Sequence, residues 1–192
     1  MEQIQDPRLL QQSNFPIHIV LSQQATSFIA WAINWKTKGN FDHIMLSLNP
    51  GKFIVQDFSG YKEIPIDGYL KKGGTLKFVR LTNANAHFDA MFRISVNNRL
   101  NLPWYRKLYD WGNILGRTIG LNWLHLPGTE DCSEDDLTHL KEASPYLPAA
   151  DQTVINGISD RASPDDIDMC IKNNPSVFTV LGEWSADTGV VV

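Results

Sequence analysis

Cysteine is scarce. Cys132 and Cys170 are the only two among 192 residues, and although they could pair, so few do not make a disulfide framework. Basic charge is not in excess either: 17 Lys+Arg face 21 Asp+Glu, with no clustered basic face, which disfavours nucleic-acid binding. The opening Met1-Glu2-Gln3-Ile4-Gln5-Asp6 lacks the basic segment and apolar core of a secretory signal. No apolar run approaches membrane-spanning length. The expectation is a soluble, cytosolically made chain, which could still be virion-associated or leave by a signal-independent route. A Gly-x-Ser-x-Gly elbow is missing, which argues against a serine hydrolase. Lys71-Lys72-Gly73-Gly74 lacks the Gly-Lys-Ser/Thr ending of a phosphate loop and reads as a turn. His18, His43, His87, His125 and His139 fall at no metal-site spacing, so neither a metal nor a cofactor is expected. Of these, His87 and His139 read as helix-surface residues and His125 as a loop residue.

A hydrophobic content of 43% is enough for one well-filled core, and residues 1–192 read as a single domain. Pro16 to Leu21 reads as a short buried strand. Ser27 can cap a helix whose Phe28, Trp31, Ala32 and Trp35 form a core-facing stripe. Phe41 to Leu48 and Phe53 to Phe58 are β-rich runs joined by the turn Asn49-Pro50-Gly51-Lys52, with further strands at Tyr61 to Ile66 and Thr75 to Leu81. Helices then dominate: about Asn85 to Asn97, another around Trp104, Leu108, Trp111 and Leu115, one at Cys132, and one opened by Ser163-Pro164-Asp165-Asp166. On that last helix Ile167, Cys170 and Ile171 share a face, so Cys170 is expected in the core. Ser144 to Ala162 reads as a loop-rich connector. The class is α+β, a small antiparallel sheet packed against helices.

Cys132 stands where a loop turns into a helix. Ser133 is a good N-cap, Asp136 completes an Asp-type capping box, and Leu137, Leu140 and Ala143 supply the apolar stripe. The helix dipole at that position favours a thiolate. Glu130, Asp131, Glu134, Asp135 and Asp136 oppose it with negative charge. His43 lies on a predicted strand, and a cysteine with a histidine is what a thiol nucleophile needs. A two-residue Pro50-Gly51 loop would pair Asn49 with Lys52 and set Met45 opposite Gln56, so that His43 and Gln56 share a face. A slip of one residue would bring in Asp57 instead. Either gives the imidazole an acceptor that fixes its tautomer. His18, on the first strand, is the rival base.

The run Pro16 to Leu21, a tryptophan-bearing helix, and Asp42-His43-Ile44-Met45-Leu46 resemble the opening of the circularly permuted papain-like amidohydrolases (YiiX-like), relatives of the NlpC-type peptidases and the lecithin:retinol acyltransferases. The likeness continues through Val55-Gln56-Asp57, Tyr109-Asp110 and Cys132-Ser133-Glu134, and covers about 15–143, leaving 144–192 as a helical extension. It implies a permuted papain-like fold, with Cys132 as nucleophile, His43 as general base and Gln56 as orienting group. Ile17-His18 replaces the family's Gly-Asp, Met45 stands where a small residue is usual, and Gln56 where an acid is common.

The reaction so implied is acyl transfer. The Cys132 thiolate attacks an amide or ester carbonyl, the Cys132 backbone N–H supplies one oxyanion donor, and water or an acceptor resolves the thioester. Substrates would be a peptidoglycan peptide, an isopeptide or a lipid ester. Two other readings stay open: an inactive scaffold serving as a structural or interaction protein, such as a virion component, and a lipid acyltransferase.

Overall fold

The computed structural model describes residues 17–23, 40–49, 51–57, 60–70, 74–103, 107 and 132–185. The expected helix from Ser27, the one around Trp104 to Leu115, Tyr109-Asp110, His125, Glu130, Asp131 and Lys71-Lys72-Gly73 lie outside these residues, as do the side chains of Asp57 and Cys132. Within them the chain forms β1 (Ile19–Gln23), β2 (His43–Met45), β3 (Lys52–Asp57), β4 (Gly60–Pro65), α1 (Ile66–Leu70) and β5 (Thr75–Leu81). There follow α2 (Ala86–Leu100), α3 (Cys132–Ala143), a 3-10 turn (Ser144–Tyr146), α4 (Ala149–Gly157), α5 (Pro164–Asn173) and β6 (Phe178–Ser185). The class is α+β with antiparallel sheet, as the patterning implies.

One sheet has the order β2-β1-β5-β6, all antiparallel, and β3-β4 form a separate hairpin. Alternation sorts the apolar side chains into two layers. Ile19, Leu21, Ile44, Val79 and Leu81 face the helices and join Phe88, Phe92, Val96, Leu137, Leu140 and Ile167 in the larger core. Val20, Met45, Leu76 and Phe78 face the other way and pack with Phe53, Val55 and Ile66. Both faces of β1 are therefore dry, which is why its residues Ile19 to Ser22 are all buried.

Local signals place several helix ends where the chain specifies them. Asn85 caps α2, its side chain accepting from the His87 and Phe88 backbone N–H groups. Ser163 and Asp166 form a capping box with Pro164 in the first turn of α5. Ile167 and Ile171 are buried there, whereas Cys170 is only partly covered by the core. Helix α3 departs from expectation: it already includes Cys132, so Ser133 is a buried residue of its first turn rather than the cap. The segment read as a connector contains α4, and β6 was not anticipated. Its alternation is broken by a register shift opposite Phe78 and Val79, which changes phase mid-strand.

The β3–β4 turn shows why a glycine is required at one position. Gly60 has φ +97°, and a Cβ there would sit 2.6 Å from the Lys107 carbonyl oxygen. That oxygen accepts from the Tyr61 N–H at 3.1 Å and from Gln56 Nε2 at 3.2 Å. The Lys107 ammonium in turn donates to Leu100 O near the end of α2, at 3.1 Å.

Candidate active site

The loop between β2 and β3 decides which polar side chains share a face. The bridge is Leu46 opposite Ile54, with backbone bonds of 3.1 and 2.8 Å. That is one residue out of the expected register. Gly51 at φ +78° takes a left-handed position at the end of the loop, the conformation typical of a three-residue hairpin connection. Extending this register sets His43 opposite Asp57, and Met45 opposite Val55. Gln56 alternates with Ile54, on the side of Leu46 and the helices, whereas His43 alternates with Met45, on the side of Val20 and Phe53. The expected Gln56–His43 face-sharing is therefore corrected, because a one-residue slip turns each side chain to the opposite face.

Gln56 has a structural task in this arrangement. It is fully buried and its amide docks the Lys107 carbonyl onto the hairpin. His43 is partly exposed on β2, the edge strand, where it pairs with Ser22 of β1. Met45 is fully buried in the second apolar layer, so its bulk fills core. Helix α3 packs alongside both β2 and β3, with Cys132 as its first residue.

His18 is not a rival base. Its Nδ1 accepts from the Leu81 backbone N–H at 3.0 Å, which requires the proton on Nε2, and Nε2 meets Asp89 Oδ1 at 2.9 Å. The ring also packs edge-on against Phe88 and Phe92. Both nitrogens are committed to holding β1 and β5 against α2.

His139 was read as a surface residue and is instead 4% exposed. It belongs to a polar seam between α2 and α3. Ser95 Oγ donates to Glu142, and His139 Nδ1 lies 2.6 Å from the same oxygen. With the Ser95 proton given to Glu142, Nδ1 must donate and Nε2 carries the lone pair. Nε2 stands 3.6 Å from Asp135 Oδ1, while Asp135 Oδ2 accepts from Arg99 Nε at 2.9 Å. Asp135 and His139 are buried one helical stripe away from Leu137 and Leu140, and the exposed Glu142 closes that stripe at the surface. No periodicity rule reads a polar stripe as buried, and only the partner helix reveals it.

Burial, with a lesser push from the Arg99 guanidinium, lowers the His139 imidazole to about 4. The ring is therefore neutral when folded and protonates in the unfolded chain below about 6.5. Between these values the unfolded state binds the extra proton, so stability falls as pH drops from about 6.5 towards 4, by roughly 3 kcal/mol. His139→Gln should flatten that acid limb in urea titrations at a series of pH values. An unchanged limb would mean that the ring is not held neutral.

A cleft of about 590 Å³ lies away from these residues, between α4 and α5, lined by Val154, Ile158, Arg161, Cys170 and Asn174 among others. Burial raises the Cys170 thiol pKa, partly offset by the Asn174 amide, which disfavours its thiolate. Among the described residues no group of His, Cys, Asp and Glu is placed to hold a metal ion, and no helix is long and apolar enough to cross a membrane. No family model matches the chain, and no curated protein matches it.

Proposed function

We propose that the chain is a thiol hydrolase or acyltransferase of permuted papain-like design, with Cys132 as nucleophile and His43 as general base. The observation that carries this reading is the position of Cys132 as the first residue of a 12-residue helix packed alongside β2, although His43 alternates to the face of that strand away from Leu137 and Leu140. The first turn of a helix offers unpaired backbone N–H groups and the positive end of the dipole, which favour a thiolate and can supply an oxyanion donor. Asp57, at the register position opposite His43, takes the orienting role in place of Gln56. His43 removes the Cys132 proton, the thiolate adds to an amide or ester carbonyl, and the protonated imidazole returns that proton to the leaving group. Water or an acceptor hydroxyl or amine then releases the acyl group. Peptidoglycan peptides, isopeptides and lipid esters remain the candidate substrates.

The test is alkylation of Cys132 against pH in a Cys170→Ser background. An activated thiol reacts half-maximally well below about pH 8.5, and His43→Ala moves that midpoint upwards. A midpoint near the ordinary value, indifferent to His43→Ala, would favour an inactive scaffold with a structural or interaction role. The separation of His43 from the Gln56 face, and the buried Met45 beside it, are the features that favour this second reading.

The corrected register also ranks two substitutions. Asp57→Ala should cut turnover of a responsive substrate by a factor on the order of 10–10⁴, as the imidazole loses its orientation. Gln56→Ala should instead cost about 1–2 kcal/mol of stability through the lost buried bond to Lys107, with turnover changed only a few-fold. Steady-state kinetics beside thermal melts separate the two, and the opposite ranking would return the orienting role to Gln56.

A further inference from the structure

Helix α5 lies in the stretch read from the sequence as an extension of the core, yet one of its side chains meets the chain on its way into β2. Asp165 Oδ1 accepts from the Asn40 backbone N–H at 2.8 Å and from the Phe41 N–H at 3.1 Å. Its second oxygen, Oδ2, is buried without a hydrogen-bond partner, so the carboxylate is committed to those two donors. The base beneath it is rigid. The Ser163–Asp166 capping box fixes the first turn of α5, Ile167 and Ile171 are buried in the larger core, and Asp168 is tied to Lys77 of β5 at 2.7 Å. The strand it meets is the less constrained partner: β2 has only three residues, His43–Met45, and lies at the edge of its sheet. Phe41 is buried just ahead of it, and the Asp42 N–H donates to Ser22 O at 3.0 Å.

We propose that Asp165 is a positioning residue for His43: by holding the backbone of Asn40 and Phe41 it fixes where β2 starts, and so where the imidazole stands. This rests on the reading of His43 as general base. It makes α5 part of the site, although none of the proposed catalytic groups is on that helix. The influence runs through the backbone. Ile167 and Ile171 of α5 share the apolar layer of Ile44 and Leu46, whereas His43 alternates to the other face with Met45. The carboxylate therefore acts as an acceptor for two N–H groups rather than as a charge beside the ring. Removing it leaves the partly buried Phe41 N–H without its acceptor, and the chain ahead of His43 regains backbone freedom. Misplacing a general base by about 1 Å costs on the order of 10²-fold in rate.

Three substitutions separate an acceptor from a charge and from simple packing. Asp165→Asn keeps an oxygen for both N–H groups without the charge, Asp165→Glu keeps the charge a methylene further out, and Asp165→Ala removes both. Peptidoglycan peptide fragments, an isopeptide and a labelled phospholipid serve as substrates, well below the melting temperature of each variant. Asp165→Ala should lower kcat roughly 10–100-fold with KM within about two-fold of the parent. Hydrogen exchange over residues 40–46 should quicken, and the His43 ring resonance, assigned by its loss in His43→Gln, should broaden or split. Asp165→Asn should recover most of all three readouts and Asp165→Glu less. If Asp165→Ala fails to fold, the ranking of Asp165→Asn over Asp165→Glu still decides the matter. The reverse ranking, or an unchanged kcat in Asp165→Ala, would overturn the proposal. Exchange and ring signal unchanged in Asp165→Ala would overturn it as well, and turnover still lost in His43→Ala would then leave the base assignment standing. Quickened exchange and a disturbed ring in a chain that turns over none of these substrates would support the anchor and sink the catalytic reading.

Discussion

Cys132→Ala is expected to reduce turnover by a factor on the order of 10⁴–10⁶, the scale seen when a covalent nucleophile is removed and only binding and oxyanion contacts persist. Its thermal transition should stay cooperative, with stability changed by no more than about 1–2 kcal/mol. His43→Ala should fall in the same range of activity, and the double variant should lose little more than either alone, because the two act as a unit. The assay needs a panel: peptidoglycan peptide fragments, an isopeptide and a labelled phospholipid, each followed for hydrolysis and for transfer to an added acceptor. A substrate still turned over by Cys132→Ala would remove the nucleophile from the mechanism. Collapse of the fold in either variant would instead mark the residue as core.

The second large effect lies in the core rather than the site. Lys77 of β5 points to the helix side of the sheet, its side chain 4% exposed, and its ammonium is 2.7 Å from Asp168 Oδ1 on α5. Glu183 of β6 adds a contact of 3.3 Å from the other flank. Asp168→Ala would strand the ammonium with only the half-exposed Glu183, and should cost about 3–5 kcal/mol in urea unfolding. Lys77→Met should cost less. The exposed Lys172 stays on Asp168 Oδ2 at 2.6 Å and keeps that carboxylate paired. Lys77→Met with Asp168→Leu should recover most of the loss, since well-packed apolar groups replace a buried ion pair at little cost. A penalty under about 1 kcal/mol for Asp168→Ala would show that Lys77 reaches solvent or Glu183 and that α5 is not locked to the sheet by charge.

Much of the framework was legible because it depends on neighbours in sequence. Thr75 to Leu81 is rich in apolar residues and is a strand over that same range. Asn85 and the Ser163–Asp166 box satisfy backbone donors two or three residues away, so the starts of α2 and α5 were readable from short words in the chain. Less was legible where punctuation misled. Ser144 to Ala162 reads as a connector, yet Pro148 is the N-cap and Gly157 the last residue of a short helix, α4, whose Ile155 is buried. At α3 the error was one of phase: a serine followed by an acid three residues on looks like a box, but the helix had already begun.

By itself the chain determined an α+β class, the antiparallel strands around Thr75 to Leu81, and a cysteine at the head of an amphipathic helix. These follow from side-chain period and from hydrogen bonds spanning a few residues. Only the tertiary structure decided the pairing of Leu46 with Ile54, and with it whether Gln56 or Asp57 stands across from His43. The bridge of Leu46 to Ile54 sets that choice, and each single-residue slip inverts every face beyond it. Only the tertiary structure, too, turned His18 into a tether and His139 into part of a buried seam. Their partners, Asp89, Leu81 and Ser95, are 44 to 71 residues distant along the chain, and pairings at that separation are set by how helices and sheet pack, which no local pattern records.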